Sequence, residues 1–262
     1  MEVLERRFAA MGARLSLAER PWYGEPRIDV AIDVGVDRRG EYFDVRFSGG
    51  DRVDVQVVDV WPDLQHLLLL VRDGAEKSKF LCGHDERHWF VAAVPESERG
   101  VRGVEQAMVA LQPESVREAV ALKKPKHPLD RKNTAYLRQG EWFFVPTPGL
   151  DIDPDAVLHD EPITRGRGNP HIVELLARHG GELVYVGGRY SSGLTEAEFA
   201  KLSDARVRNN APWRQMVRDA VVYARGTVRH PDHATIVLHT WHRVEMNTEQ
   251  RARAMRHVAF LD

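Results

Sequence analysis

The first third of the chain alternates between apolar and polar residues with a period of two. The clearest runs are residues 28–34, 42–47 and 53–57, and residues 37–40 and 48–51 between them have the composition of turns. A strand with one solvated face shows this alternation, whereas the strands of a parallel sheet are apolar on both faces. The pattern predicts an antiparallel meander over residues 27–71.

Further strands and helices follow from the same patterns. Apolar runs and turn residues predict a buried strand at 67–71, a hairpin at 79–94 with its tip at 84–87, short strands at 141–146 and 182–186, and a last hairpin with arms 221–228 and 235–238. Helical spacing and capping residues predict helices within 1–17, 104–111, 115–122, 171–178, after Thr195, and around 213–217. Together they predict an α+β fold that is rich in antiparallel sheet, with meanders and hairpins and several short helices inserted.

The bulk composition is that of a globular protein. Of 262 residues, 43% are hydrophobic and 29% are charged, which argues against a disordered, collagen-like or membrane protein. A proline-broken basic stretch at 123–128 predicts a boundary, which would divide the chain into an N-terminal meander with helices (1–122), a basic connector with one strand (123–150) and a C-terminal α+β region (151–262). One continuous domain is the alternative.

Location can be argued from two features. The longest apolar run, residues 67–71, is far too short to cross a bilayer, so we expect no membrane association. Cys82 is the single cysteine, which excludes an intrachain disulfide and fits a reducing compartment. We therefore expect a cytoplasmic protein.

Side chains that can bind metal or transfer protons are most concentrated near the C-terminus, where four of the twelve histidines fall within residues 230–242. His230 and His233 flank a Pro-Asp pair in a predicted tight turn, which can direct two imidazoles and a carboxylate into one space. The candidate catalytic residues are Arg229, His230, Asp232, His233 and His242. The candidate metal ligands here are His230, His233 and His239. His239 and His242 face opposite sides of a regular strand and share a site only if the strand ends or bulges near Thr240. The alternative is that these are ordinary turn residues that cap a hairpin.

A second cluster occupies residues 82–88. Cys82, His84 and His88 could bind zinc, or Cys82 and a histidine could form a nucleophile and its base. However, Cys82 lies in an apolar arm, where a free cysteine usually behaves as a small buried hydrophobe. One zinc shared by both clusters is a further hypothesis, and it requires that the two clusters meet in space.

Local basic patches form the third signal, since the net charge of −2 gives no global preference for nucleic acid. The candidate phosphate-binding residues are Lys123, Lys124, Lys126, Arg131, Lys132, Arg165, Arg167 and Arg243. Tyr136, Trp142 and Phe143 follow the lysines, and aromatic rings beside positive charge suit base stacking. The alternative is an exposed loop with ordinary surface charge.

Three functional hypotheses remain. The first is an enzyme that acts on a phosphate-containing or nucleic-acid substrate through the His/Asp/Arg residues, with a divalent metal as the candidate cofactor. The second is a non-catalytic module that binds nucleic acid or an acidic protein through the basic loop 123–138. The third is an interaction protein that docks a partner through its exposed hairpins and tryptophans. The candidate partners are accordingly nucleic acid or a phosphorylated ligand.

Overall fold

A computed structural model describes residues 2–19, 30–47, 53–165, 168–188, 190–202 and 212–252. This part of the chain is rich in antiparallel sheet, as predicted, and has fewer helices than the α+β prediction placed in it. Its four α-helices are short: α1 Glu2–Ala10, α2 Val104–Ala110, α3 Glu114–Lys123 and α4 Glu196–Ala200. Helices therefore cover the sheets and do not form a layer of their own.

Two sheets occupy the N-terminal part. A three-stranded sheet has the order β1-β3-β2, with β1 Leu15–Glu19, β2 Val30–Asp37 and β3 Gly40–Phe47. A four-stranded sheet consists of sequential hairpins, with β4 Val53–Trp61, β5 His66–Asp73, β6 Glu76–Asp85 and β7 His88–Val94. The prediction of one meander over 27–71 is wrong in this respect, because β3 and β4 belong to different sheets. Also, β1 pairs with β3 in parallel.

The division into two sheets buries the apolar face that each of them presents. Phe43 of β3 and Leu69 and Phe80 of the four-stranded sheet share one core cluster, which Phe8 of α1 closes. The other face of the four-stranded sheet packs on α2, where Leu68 meets Val104. Strand β5 is therefore buried on both faces, which explains its uninterrupted apolar run.

The remaining sheets are antiparallel. A six-stranded sheet has the order β10-β11-β15-β16-β9-β8, with β8 Leu137–Gln139, β9 Trp142–Pro146, β10 Val157–Ile163, β11 His171–His179, β15 Val221–Arg229 and β16 Ile236–Met246. A three-stranded sheet has the order β13-β12-β14, with β12 Glu182–Gly187, β13 Tyr190–Thr195 and β14 Arg214–Arg218. The strand of the predicted basic connector, β9, pairs with β16 and is thus part of the six-stranded sheet.

Two of the predicted helices are strands. Residues 171–178 form most of β11, in which a register shift between Val173 and Leu175 interrupts the alternation and leaves apolar residues at helix-like spacing. Residues 213–217 fall largely in β14. These two helix predictions are wrong because pairing with neighbouring strands outweighs a weak local preference.

Helix ends give mixed outcomes. Thr195 and Glu198 form the predicted capping box at α4. Ser115 does not cap α3, because this helix already begins at Glu114 behind Pro113. The first helix ends at Ala10 and not near residue 17, because Gly12 adopts a left-handed conformation with a φ of 87° and the chain continues into β1.

Among the residues that the structure describes, no helix combines the length and the apolar character that a bilayer span requires.

Candidate metal centre

Strand pairing brings a third histidine to the predicted histidine-rich turn. In the antiparallel pair β11–β15, Ile172 lies opposite Arg229, so His171 and His230 follow at neighbouring positions where both strands reach the same edge. The turn from β15 into β16 then carries His233 back over the same edge. The site is therefore built from one strand start and one hairpin turn.

His171, His230 and His233 form a compact cluster, which we call the histidine triad. One ring nitrogen from each residue lies within 4.8 Å of the corresponding nitrogen of the others, and within the described residues no other group of three or more His, Cys, Asp or Glu side chains meets this condition. The rings of His171 and His230 stack with centroids 4.2 Å apart, and those of His230 and His233 with centroids 4.7 Å apart. Three imidazoles of this kind are a natural ligand set for a divalent transition metal.

Gln139 fixes the orientation of the first imidazole. Its Nε2 donates hydrogen bonds to the carbonyl oxygens of Val228 and Ala234, at 3.2 and 2.7 Å. Its Oε1 is therefore the acceptor for Nδ1 of His171, at 2.9 Å. Because Nδ1 carries the proton, Nε2 of His171 keeps a free lone pair, which is the state a metal ligand requires.

The other two imidazoles are held differently. Nε2 of His230 lies 3.2 Å from the carbonyl oxygen of Asn169, while its Nδ1 accepts the backbone N–H of Asp232 at 3.1 Å. Nδ1 of His233 is buried without a hydrogen bond, since the carboxylate oxygen of Glu86 at 3.7 Å is too far away to accept one. A metal ion at Nδ1 of His230 would have to displace the N–H of Asp232, and Nε2 of this ring would then donate to a carbonyl oxygen as metal-binding histidines usually do.

Gly140 leaves room for the triad. It lies in the tight turn between β8 and β9 with a φ of 58°, which favours glycine. A Cβ atom at this position would lie 2.9 Å from Nε2 of His233 and 3.3 Å from Cε1 of His171. Any side chain here would therefore press on two of the three imidazoles.

Glu141 is the carboxylate closest to the unprotonated side of His171. Its Oε2 lies 3.9 Å from Nε2 of His171. Burial raises the pKa of Glu141, although the positive charges of Arg165 and His230 oppose the shift. A carboxylate that is poorly solvated in this way is a suitable proton acceptor or a reserve metal ligand.

Two imidazoles of the triad, those of His171 and His233, are held in the neutral form. Burial, followed by repulsion from His230 and His233, lowers the pKa of His171 to about 3. Burial also lowers the pKa of His233, and the charge of His230 adds to the effect. Neutral imidazole is the form that binds metal, so these two ligands need no proton loss at neutral pH.

The triad lines a cavity of about 570 Å³, which is a usual size for a small-molecule site. The cavity lies between the six-stranded and four-stranded sheets. Phe90 and Met108 contribute apolar surface to its wall. The charged side chains that the described residues contribute to the wall are two arginines and five carboxylates, namely Arg138, Arg165, Asp33, Asp85, Glu141, Asp232 and Glu249.

The two predicted clusters do meet, through the tip of the β6–β7 hairpin. A carboxylate oxygen of Glu86 accepts the backbone N–H of Ala234 at 2.6 Å, and Arg87 donates to the carbonyl oxygen of Pro231 at 3.3 Å. Nε2 of His88 lies 3.7 Å from a carboxylate oxygen of Asp232. The tip supports the turn that carries His230 and His233, while His88 itself is not a member of the triad.

Cys82 and His84 lie away from the triad. Cys82 is fully buried in the core beneath the N-terminal sheets, and burial strongly raises the pKa of its thiol. His84 packs edge-on against Trp89, with ring centroids 4.8 Å apart. Neither residue belongs to a group of metal-binding side chains among those that the structure describes.

Strand β16 contains the expected irregularity, yet its histidines stay apart from the triad. The β15–β16 register shifts between Ala224 and Gly226, close to Thr240. His239 is exposed and lines a second cavity beside Arg131. His242 is buried, with Nδ1 2.6 Å from the carbonyl oxygen of Thr240.

Two arginines predicted for the site, the candidate catalytic residue Arg229 and the candidate phosphate-binding residue Arg243, also lie outside the cavity. Arg229 pairs with Asp160 at 2.6 Å and remains 55% exposed. Arg243 pairs with Glu245 at 2.5 Å. Arg165, by contrast, lines the cavity and pairs with the buried Glu249.

The basic loop has two kinds of cation. Lys123, Lys124, Lys126 and Lys132 are exposed. Arg131 bridges Asp85 and Glu86 of the hairpin tip. Of the three expected stacking rings, Tyr136 and Phe143 are buried against one another with centroids 5.3 Å apart. Trp142 is half-buried beside His171, with ring centroids 6.4 Å apart. Arg167 lies outside the described residues.

Sequence reasoning missed His171, Gln139 and Glu141. His171 was assigned to the start of a helix, where it had no relation to the C-terminal turn. The available signal was the β-branched pair Ile172-Val173 next to Pro170, which favours a strand start over a helix start. Gln139 and Glu141 carry no spacing signal, because their role depends on the turn at Gly140.

Comparisons with known proteins were made at three levels. No family model matched the chain, and searches of characterised proteins and of solved structures found no similar protein.

Proposed function

We propose that this protein is a metal-dependent hydrolase that acts on a small phosphate-containing substrate. The observation that carries the proposal is the histidine triad, whose ligand nitrogens lie within 4.8 Å of one another in the wall of a cavity. The phosphate-containing substrate and the catalytic roles of His230 and His233 extend the hypothesis drawn from the sequence.

Three protein ligands suit a catalytic centre better than a structural one. Structural zinc sites close the coordination shell with four side chains, whereas catalytic sites use three and leave a position for water or substrate. A tetrahedral zinc holds its nitrogen ligands roughly 3.3 Å apart, given Zn–N distances of about 2.0–2.1 Å. Binding one zinc ion would require the three ligand nitrogens, which lie within 4.8 Å of one another, to approach to this spacing around His171, which Gln139 holds in place.

Glu141 supplies the base. A divalent cation bound by imidazoles lowers the pKa of water in its coordination shell from 15.7 to about 7. The triad would hold such a cation, which would activate a water molecule, and Glu141, whose Oε2 lies 3.9 Å from Nε2 of His171, would accept the proton of the attacking water. As the water oxygen bonds to phosphorus and the ester P–O bond breaks, Glu141 would pass this proton to the leaving alcohol, so that the products are the alcohol and phosphate.

The geometry favours this function over nucleic-acid binding by the loop 123–138. Arg131 is committed to Asp85 and Glu86, and Tyr136 and Phe143 are buried, so the loop offers exposed lysines without exposed stacking rings. A stacking platform for single strands requires both.

Metal content tests the proposal. Protein purified without a histidine tag is loaded with zinc, manganese or iron, dialysed and examined by elemental mass spectrometry. We expect about one equivalent of one metal in the wild type, its loss in His171→Ala and His233→Ala, and its retention in His179→Ala, which alters an exposed histidine at the other end of β11. Equal metal content in all four proteins, or none in the wild type, would contradict the metal site.

Activity is tested on the same preparations with chromogenic phosphate monoesters and diesters. Glu141→Gln should keep the metal and lose about 10²- to 10⁴-fold in kcat, the usual contribution of a general base. A Glu141→Gln variant that hydrolyses these esters like the wild type would exclude Glu141 as the base.

A further inference from the structure

Arg138 is a buried cation whose pairing is incomplete. Its side chain is only 19% exposed and lines the same cavity as the triad. Within the described residues its guanidinium makes one hydrogen bond, a long one of 3.4 Å from Nη2 to Asp85, and its Nε is buried without any partner. The ring of Phe143 lies 6.0 Å from the guanidinium carbon, at the outer limit of a cation–π contact.

Asp85 cannot fully compensate the positive charge of Arg138, because it forms a closer ion pair with another arginine. Arg131 forms a much closer ion pair with the same carboxylate oxygen of Asp85 and also binds Glu86. The charges of Glu86 and Glu141 reach Arg138 from a distance. Burying an arginine is costly unless its donors are satisfied, so a guanidinium left in this state suits an anionic ligand.

Arg165 does not compete for this role, although it also faces the cavity. It is paired with Glu249, which is 1% exposed, so its charge is already matched inside the protein. Arg138 is therefore the cation of the cavity wall with the most donor capacity left for a ligand. A guanidinium fork presents two parallel N–H groups to the oxygens of a phosphate.

We infer that Arg138 binds the phosphate group of the substrate, with the organic part of the molecule against Phe90 and Met108. The inference rests on the proposed function in one respect, namely that the bound phosphate is the one presented to the triad. A cavity of about 570 Å³ accommodates a small organic phosphate whose apolar body contacts these side chains. The inference thus narrows the substrate from any phosphate-containing molecule to a small phosphate ester with an apolar group.

Phosphate binding to the metal-free protein tests Arg138 independently of the triad. Inorganic phosphate and phenyl phosphate are titrated by calorimetry into the wild type, Arg138→Gln, Arg138→Lys and the control Arg229→Gln, which removes an exposed arginine outside the cavity. We expect Arg138→Gln to weaken phosphate binding at least tenfold, Arg138→Lys to restore part of it, and Arg229→Gln to behave like the wild type. Equal affinity in Arg138→Gln and the wild type would overturn the inference.

Two further arms define the ligand. Phenyl phosphate should bind at least tenfold more tightly than inorganic phosphate, and Phe90→Ala should remove this advantage. Acetate that competes as well as phosphate would overturn the assignment to phosphate. Circular dichroism and thermal unfolding establish whether each variant is folded. If Arg138→Gln does not fold, the comparison of Arg138→Lys with the wild type provides the test.

The outcomes separate the inference from the proposed function. If zinc binding is lost in His171→Ala but phosphate affinity is unchanged in Arg138→Gln, the metal site is supported and the anion site is rejected. If phosphate affinity falls in Arg138→Gln but the wild type binds no metal, the anion site is supported and the metal-dependent hydrolase is rejected.

Discussion

Gln139 accepts a hydrogen bond from Nδ1 of His171 at 2.9 Å and thereby determines which nitrogen of that imidazole is free. The amide cannot reverse its direction, because its Nε2 is held by two backbone carbonyl oxygens of the β15–β16 hairpin. One buried side chain thus links the orientation of the first imidazole of the triad to the hairpin that carries the other two.

Replacing Gln139 with leucine should weaken metal binding about 10- to 100-fold, the usual cost of losing a hydrogen-bond partner of a metal ligand. It should also destabilise the protein by roughly 1–3 kcal/mol, because the carbonyl oxygens of Val228 and Ala234 lose their donor. Zinc titration and urea unfolding measure the two effects. Gln215→Leu, which alters a glutamine on the exposed strand β14, should change neither; a similar loss in both variants would contradict the role of Gln139.

Gly140→Ala should weaken metal binding as well as strain the backbone. Both Gly140 and Gly74 have a φ close to 57°, at 58° and 56°, so alanine is strained at either position by about 1–2 kcal/mol. Only at Gly140 would the new Cβ meet an imidazole, since nothing lies within 4 Å of the corresponding point at Gly74. We therefore expect both variants to lower the free energy of unfolding, and Gly140→Ala alone to lower zinc affinity. Identical zinc affinities would show that the triad does not need this space.

Because the pKa of His171 is lowered in the folded state, the metal-free protein should become less stable as the pH falls. The pKa of His171 is about 3 when folded and about 6.5 when unfolded, so between these values the unfolded chain binds the extra proton. Stability is then complete above pH 6.5 and falls as the pH decreases toward 3, by at most about 1.4 kcal/mol per pH unit from this residue. Urea unfolding from pH 4 to 7 should show a shallower pH dependence in His171→Asn than in the wild type. Parallel curves would mean that His171 is not protected from protons in the folded state.

Cys82 should be unreactive and dispensable for metal binding. Its thiol is fully buried in the N-terminal core and its pKa is raised by burial, so little thiolate forms near neutral pH. A thiol reagent should label less than a tenth of the native protein in the time that labels all of the urea-unfolded protein, a rough limit set by burial. Cys82→Ala should retain the same metal content as the wild type. Loss of metal in this variant would support the alternative zinc site at residues 82–88.

The sequence allowed the strands with local signals to be predicted well. The alternation in β2 and β3, the apolar run of β5 and the last hairpin all appear where the residue pattern placed them. These elements are set by which side chains face the core, which is information that each segment carries by itself. The two helices that proved to be strands failed for the opposite reason, since pairing with distant strands decided their conformation.

Only part of the candidate site could be predicted from the sequence. His230 and His233 stand out because they are close in sequence and flank a turn. His171 lies about sixty positions earlier, and it reaches them only through the register of β11 on β15. Gln139, Gly140 and Glu141 come from a third segment, whose approach depends on the pairing of β9 with β16. Such long-range pairings leave no periodic trace in a single sequence.

The order of strands in the six-stranded sheet has a consequence for biosynthesis. Strand β9, which follows Gly140 and Glu141, finds its neighbour only when β16 has left the ribosome, about one hundred residues later. Until then β9 pairs with β8 alone among the strands of its sheet. Chains that end before β16 contain all three histidines of the triad, yet we expect them to bind metal more weakly than the whole chain, because β16 does not yet hold the turn at Gly140 beside the histidines.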